Sequence, residues 1–290
     1  MELEAELLDL WYSSNRAAEM ACRAFGQFDQ IRDNVRYLRR HYRSLGGATP
    51  PSFGMIETQL AYAAAYHPAH SHMYLSILNR QRIGASIFGS DGGPCRILLL
   101  GAGLAAECSA IVRWFDRVFA GRYSLLEMLQ VDRIDWEPTR QSFVDPKISE
   151  AISAGKLSVS SNRVDLLSQD GKEFLTSVRR RFDVIFLSSV LTEMYQGGAY
   201  GDLIQQLRWL IADGARLVII DHDVQNFEPD IAQLVSGLYV RHGRVKKYEI
   251  QVPTPNAWLA ANILDGSDGC IPLRTYAARW MIVSNRPIFA

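Results

Sequence analysis

The sequence predicts an α/β protein, a doubly wound and mostly parallel sheet preceded by a helical segment. Three observations carry that expectation. From residue 95 onward, short apolar runs alternate with stretches of helical periodicity, the rhythm of a parallel sheet covered on both faces. One of those runs, "RILLLGAGLAAE" at 96–107, enters Gly-Ala-Gly directly, as a buried strand does when it turns tightly into a helix. Residues 1–94 lack such alternation and read as helices, so the chain divides into a helical segment, 1–94, and a sheet domain, 95–290.

Taken in order, Leu3, Leu7, Leu8 and Trp11, then Phe28, Ile31, Val35 and Leu38, mark two amphipathic helices before the break at "LGGATPPS". "FGMIETQLAYAAAY" is a further helix that stops near His67, because the residue before Pro68 is pushed out of the helical region. Pro68 then opens another helix through "AHSHMYLSILNRQRI". In the sheet domain the strand "CRILLL" leads to a helix from Leu104 to Phe119. There follow the strand "LLEMLQVD", a helix over "PTRQSFVDPKISEAISAG", the strand "KLSVSSN", the helix "GKEFLTSVRR" and the strand "FDVIFLSS". The helix "YGDLIQQLRWLIAD" and the strand "ARLVIID" complete the alternation. "VKKYEIQV" and "YAARWMIVSN", joined without a clear helix, read as an antiparallel pair closing the sheet edge.

Composition limits the partners. Lys plus Arg and Asp plus Glu both number 31, so no global basic field favours nucleic acid, and the run Arg179, Arg180, Arg181 reads as a solvated helix end. Cys22, Cys95, Cys108 and Cys270 form neither a CxxC pair nor a cluster, which argues against structural zinc, against a cysteine-ligated iron-sulfur cluster and for a reducing compartment. The N-terminus is acidic where a secretory signal is basic, and no apolar run is long enough to span a bilayer. The expectation is a cytoplasmic protein whose partner is a small molecule.

The order of "LLLGAGLAAE", "MLQVDRIDW", "NRVDLL", "RFDVIFLSSVLTEM" and "DGARLVIID" resembles the five leading motifs of the class I methyltransferase family over about residues 95–286. The resemblance implies a seven-stranded sheet with an antiparallel last strand and S-adenosylmethionine as cofactor. It implies cofactor contacts from Gly101, Ala102 and Gly103 of the turn, and from Ser188 at the end of the fourth motif strand. The family's acid two residues before the first glycine is absent, since Leu99 stands there. Glu107 resembles the acid of a subset with a Gly-x-Gly-x-x-x-Glu pattern and takes over the contact with the cofactor's amino group; a carboxylate favoured by the helix dipole is the other reading. Asp132, with Asp135 as the fallback, has the lone pairs to accept from two ribose hydroxyls. Asp165 is either the acceptor of the adenine amino group or a plain turn aspartate, and Trp136 is either the cover of the adenine or a packing residue.

Since a sulfonium methyl is already activated, positioning supplies much of the rate and no Ser-His-Asp set is required. Glu193, Tyr66 and His222 are the catalytic candidates, and Tyr62, His67, Ser189 and Tyr195 the substrate candidates. His67, His70 and His72 read as surface or lid histidines, with no nearby Cys or acid to complete a metal site. "SSVL" stands where the family's DNA amino-methylating branch carries Asn/Asp-Pro-Pro-aromatic, which favours methyl transfer to a nitrogen or oxygen of a small molecule. Three other functions fit the sequence. The aminocarboxypropyl arm of the same cofactor is consumed by proteins such as nicotianamine synthases, or closes into a ring, with release of methylthioadenosine. "GAGLAA" also matches a nicotinamide-dinucleotide fingerprint, although the first strand-end carboxylate, Asp132, comes later than the expected spacing. The third is a catalytically idle interaction subunit.

Overall fold

The structure, a computed structural model, describes residues 2–43, 51–80, 83–88, 92–143, 145–179, 181–190, 200–212, 214–222, 236, 241–242, 246–264 and 275–284. Five helices come first: α1 (Glu2–Phe25), α2 (Phe28–Arg43), α3 (Ile56–Ala65), α4 (His67–Leu78) and α5 (Ile83–Phe88). The alternating part then runs β1 (Cys95–Leu100), α6 (Ala106–Phe119), β2 (Leu126–Asp132), α7 (Glu137–Ser142), α8 (Pro146–Ser153), β3 (Leu157–Arg163) and α9 (Gln169–Ser177). It continues through β4 (Val184–Ser188), α10 (Tyr200–Ala212) and β5 (Arg216–His222). The closing elements are β6 (Arg241–His242), β7 (Lys246–Gln251), α11 (Ala257–Asn262) and β8 (Thr275–Ser284).

The strands lie in the order β3-β2-β1-β4-β5-β8-β6, with β7 also on β8. β1 to β5 are mutually parallel, and β8 enters antiparallel between β5 and the outer edge. β6 and β7 pair with opposite ends of the same β8 edge, Arg241 with Ser284 and Gln251 with Thr275. They act as one interrupted edge strand, so the sheet is seven-stranded in plan, as the sequence predicts.

One apolar cluster joins Ile97 and Leu99 of β1 to Ile111 and Phe115 of α6 and to Met73 and Ile77 of α4. A second, on the opposite face, joins Leu98, Ile185 and Ile219 to Leu207 of α10. A third joins Ile31, Val35, Leu60 and Leu104 to Trp136 and Leu259. The N-terminal helices therefore share cores with the sheet. Every residue of α4 is buried, with α1 on one side and α6 on another, so a helix surrounded by protein needs no polar face.

Several predicted boundaries differ from the observed ones. The helix expected from Leu104 begins at Ala106, because Ala105 takes a left-handed conformation, φ 54°, at its N-cap. The helix expected over 138–155 is two: the segment closes at Ser142, and Asp145 caps a new start by accepting from the Lys147 N–H at 3.0 Å, with Pro146 in the first turn. The helix expected to run to Ile83 ends at Leu78, and α5 follows. A short helix, α11, occupies part of the connection read as helix-free.

Candidate functional site

A cavity of about 400 Å³ opens at the carboxyl ends of β1, β2, β3 and β4, within the size range of small-molecule sites. Parallel α/β sheets place ligands at this edge, where the order reverses between β1 and β4. Gly101 leaves β1 at φ 69°, and a Cβ there would lie 2.0 Å from Val190 Cγ2. Only glycine fits that position. Gly103, at φ 50°, follows, and its N–H donates to Asp132 Oδ2 at 2.9 Å. The other oxygen, Oδ1, accepts from the Ile134 N–H at 2.9 Å. Asp132 is half-buried at the cavity wall, so each carboxylate oxygen keeps a lone pair for a ligand hydroxyl. Arg140 of α7 fixes the same turn from behind, donating to the Gly103 carbonyl through Nη2 at 2.7 Å and Nε at 3.2 Å.

Asp165 and Ser189 complete the sheet side of the cavity. Asp165 closes its own turn, Oδ1 accepting from the Leu167 N–H at 3.0 Å. Ser189, at φ 56°, is a non-glycine residue in the left-handed region, a strained state of the kind concentrated at functional sites.

The helical side is aromatic. Phe53 lies against Trp136 with ring centroids 5.3 Å apart, and Tyr62 meets both, at 5.8 Å and 5.7 Å. The Tyr62 hydroxyl and His70 Nδ1 are 2.9 Å apart. Trp136 is buried, and its indole N–H meets no acceptor among the described residues. Gln59 locks this side to the loop after β2: its amide donates to the carbonyls of Phe53 and Asp135, both at 2.8 Å, and its carbonyl accepts from Thr139 Oγ1. Neither Gln59 nor Arg140 carries a sequence signal, because their partners lie far along the chain.

The predicted residues fall into three groups. Gly101, Gly103, Asp132, Asp165, Ser189, Tyr62 and Trp136 converge on the cavity. Several others stand near it without lining it. Ala102 is packed inside the turn, and Asp135 is exposed and accepts from the Glu137 N–H at 2.9 Å. Tyr66 is buried behind Tyr62, stacked on it with centroids 5.7 Å apart, with Arg39 over its ring. Ser188 and Glu107 are buried together beneath the turn. Burial pushes the Glu107 carboxyl up to about 7, against the lowering effect of its own backbone N–H and of the Ser188 and Tyr74 hydroxyls. The third group is out of view: Glu193 and Tyr195 lie outside the described residues, as does the side chain of His222, whose backbone ends β5 beside Ala278.

The histidines expected at the surface are interior ones, because α4 is buried all round. His67 packs on Phe143 with centroids 4.3 Å apart, and burial lowers it to about 4. His72 meets Trp11 edge-on and is lowered to about 4 by burial as well. No metal-binding cluster occurs among the described residues, and no described helix is long and apolar enough to cross a membrane.

No family model matches the chain, and no curated protein matches it in sequence. Solved structures similar to it include an O-methyltransferase family protein from Burkholderia thailandensis, 14% identical with a TM-score of 0.45, covering 89% of this chain and 71% of that one. A cyclopropane-fatty-acyl-phospholipid synthase-like protein from Lactobacillus casei is 11% identical with a TM-score of 0.44, covering 87% and 99%. Magnesium protoporphyrin IX methyltransferase from Synechocystis, solved with bound SAM, is 12% identical with a TM-score of 0.42, covering 87% and 97%. The fold assignment rests on the strand order rather than on these likenesses.

Proposed function

We propose that this chain is an S-adenosylmethionine-dependent methyltransferase of the class I type, acting on a nitrogen or oxygen of a small molecule. One observation carries the reading: the left-handed glycine turn and the half-buried Asp132 carboxylate meet in one cavity at the switch point of a sheet ordered as that family requires. Asp132 suits a vicinal diol, since both oxygens are oriented by backbone N–H groups and both retain accepting capacity. Ile134 and Trp136 after β2, and Leu166 after β3, offer apolar surface for a base, and the unpaired indole N–H is a polar group awaiting an acceptor.

When bound, the cofactor supplies an already activated methyl group. The chain then has to orient the acceptor atom and keep water away. Residues 1–94 contribute the aromatic roof for this task, and residues 95–290 the cofactor floor. Tyr62 is the orienting group on the roof: with His70 protonated on Nε2, the tyrosine hydroxyl donates to Nδ1, and its oxygen accepts from an acceptor O–H or N–H. Tyr66 supports it from behind, while Glu193, Tyr195 and His222 are the candidates from the chain after β4 and β5.

Calorimetry with S-adenosylmethionine, S-adenosylhomocysteine and a nicotinamide dinucleotide tests the cofactor. Binding of the first two and none of the third is expected; the reverse pattern defeats the proposal. With acceptor mixtures, product mass decides the chemistry: S-adenosylhomocysteine supports methyl transfer, whereas methylthioadenosine replaces it with transfer of the aminocarboxypropyl arm.

A further inference from the structure

A second cavity, of about 270 Å³, lies between β2, β3, α7 and α8. It shares no lining residue with the first. Its floor holds an anomaly. Leu126, Met128 and Gln130 alternate onto the same face of β2, the face that packs against α6. An apolar residue would continue the row at position 130, which pairs with Leu99 on one side and Ser161 on the other. The Gln130 side chain is instead 5% exposed, borders the cavity and has no hydrogen-bond partner among the described residues. Gln59 shows the contrast: that equally buried amide uses its oxygen and its nitrogen in three hydrogen bonds. Neither amide atom is sealed from solvent, so the carboxamide opens onto the cavity and its hydrogen bonds are left to whatever fills it.

The rest of the wall narrows the chemistry. Phe143, Ile148 and Val159 are apolar. Charge there is balanced: Asp145 is held by Arg113 at 2.8 Å, and Arg140 stands with Glu137 while bonded to the Gly103 carbonyl. His67, kept neutral by burial, adds no charge. A carboxamide presents a donor beside an acceptor, a pair matched by a ligand edge carrying C=O beside N–H. A carboxylate offers only acceptors and an ammonium only donors.

We propose that this cavity is a second small-molecule site, taking a neutral ring with adjacent N–H and C=O groups, a lactam or nucleobase edge, which the carboxamide of Gln130 reads. The proposal is independent of the cofactor reading above.

Uracil is the probe, with benzoate as the acceptor-only control, followed by NMR on the full chain labelled with ¹⁵N. The expected result is a saturable shift of the Gln130 side-chain amide with changes at Ser160 and Ser161, and none from benzoate. Gln130→Met should weaken uracil at least about tenfold, as expected when a paired polar contact is lost. A silent Gln130 amide up to the solubility of uracil means that the cavity holds only water and overturns the proposal. Shifts centred on Gly103 and Ser189, which would put the probe in the first cavity, equal binding by the Met variant, or equal binding of benzoate overturn it too.

Discussion

The sheet wall and the helical wall of the main cavity hold their side chains by different means. On the sheet wall, position follows from local chain geometry: Gly101 and Gly103 turn the backbone, and Asp132 is pinned by N–H groups of the turn and of its own loop. On the helical wall, Phe53 and Tyr62 hold each other and pack on Trp136 of the loop after β2, and one glutamine, Gln59, ties the two sides together. A wall built locally should fail through backbone strain, and a wall built by packing should fail piecemeal.

The largest effect is therefore expected at the turn. Gly101→Ala places a methyl 2.0 Å from Val190 Cγ2 at a positive φ. The left-handed penalty and the overpacking together cost about 2–5 kcal/mol. Gly103→Ala meets nothing nearer than 3.7 Å, at Trp136, so it should cost about 1–2 kcal/mol, the backbone penalty alone. Urea unfolding of the two variants measures the difference. Equal losses would mean that the turn yields, and that the local wall is softer than its geometry implies.

The second effect lies beneath that wall. Glu107 ordinarily titrates near 4.5, and burial raises it to about 7 in the folded chain. The folded state thus holds the proton more tightly, and the stability this contributes is fully present below pH 4.5 and lost as pH rises through about 7. The loss amounts to about 3 kcal/mol. His67 and His72 act with the opposite sign: both are lowered from 6.5 to about 4, so their contribution is present above 6.5 and lost as pH falls through 4. Glu107→Gln removes only the first dependence. Its stability relative to the parent should rise by about 3 kcal/mol between pH 4.5 and pH 8 in urea titrations. Parallel pH profiles would show that Glu107 does not titrate in that window.

The two walls also differ in how far the sequence reveals them. The alternation after residue 95 predicts the parallel sheet, and "LLLGAG" with "LQVD" locates the turn and Asp132, because each depends on neighbours within a few residues. The break between α7 and α8 was signalled too, by Asp145 before Pro146, a helix cap that the longer periodic pattern obscured. The helical wall is different. α4 is buried on every side, so "HPAHSHMYLSIL" has no single apolar stripe, and nothing in its spacing tells that His70 meets Tyr62 while His67 meets Phe143. The same holds for Gln59, Arg140 and Gln130, whose roles are set by residues that only folding brings near.

The smallest effect separates the walls by function. Asp132→Asn removes a charged acceptor bonded to two backbone N–H groups. With the proposed cofactor, it should weaken S-adenosylhomocysteine by about tenfold to a hundredfold, the value of a charge-assisted hydrogen bond. Tyr62→Phe keeps the ring against Phe53 and Trp136 and deletes only the hydroxyl facing His70. It should leave that affinity within about threefold and lower stability by about 1 kcal/mol, the usual worth of one hydrogen bond. Calorimetry on both variants reads the split. If Tyr62→Phe weakened S-adenosylhomocysteine as much as Asp132→Asn, the tyrosine would belong to the cofactor's side of the cavity, and orientation of the acceptor would have to come from the chain after β4 or β5.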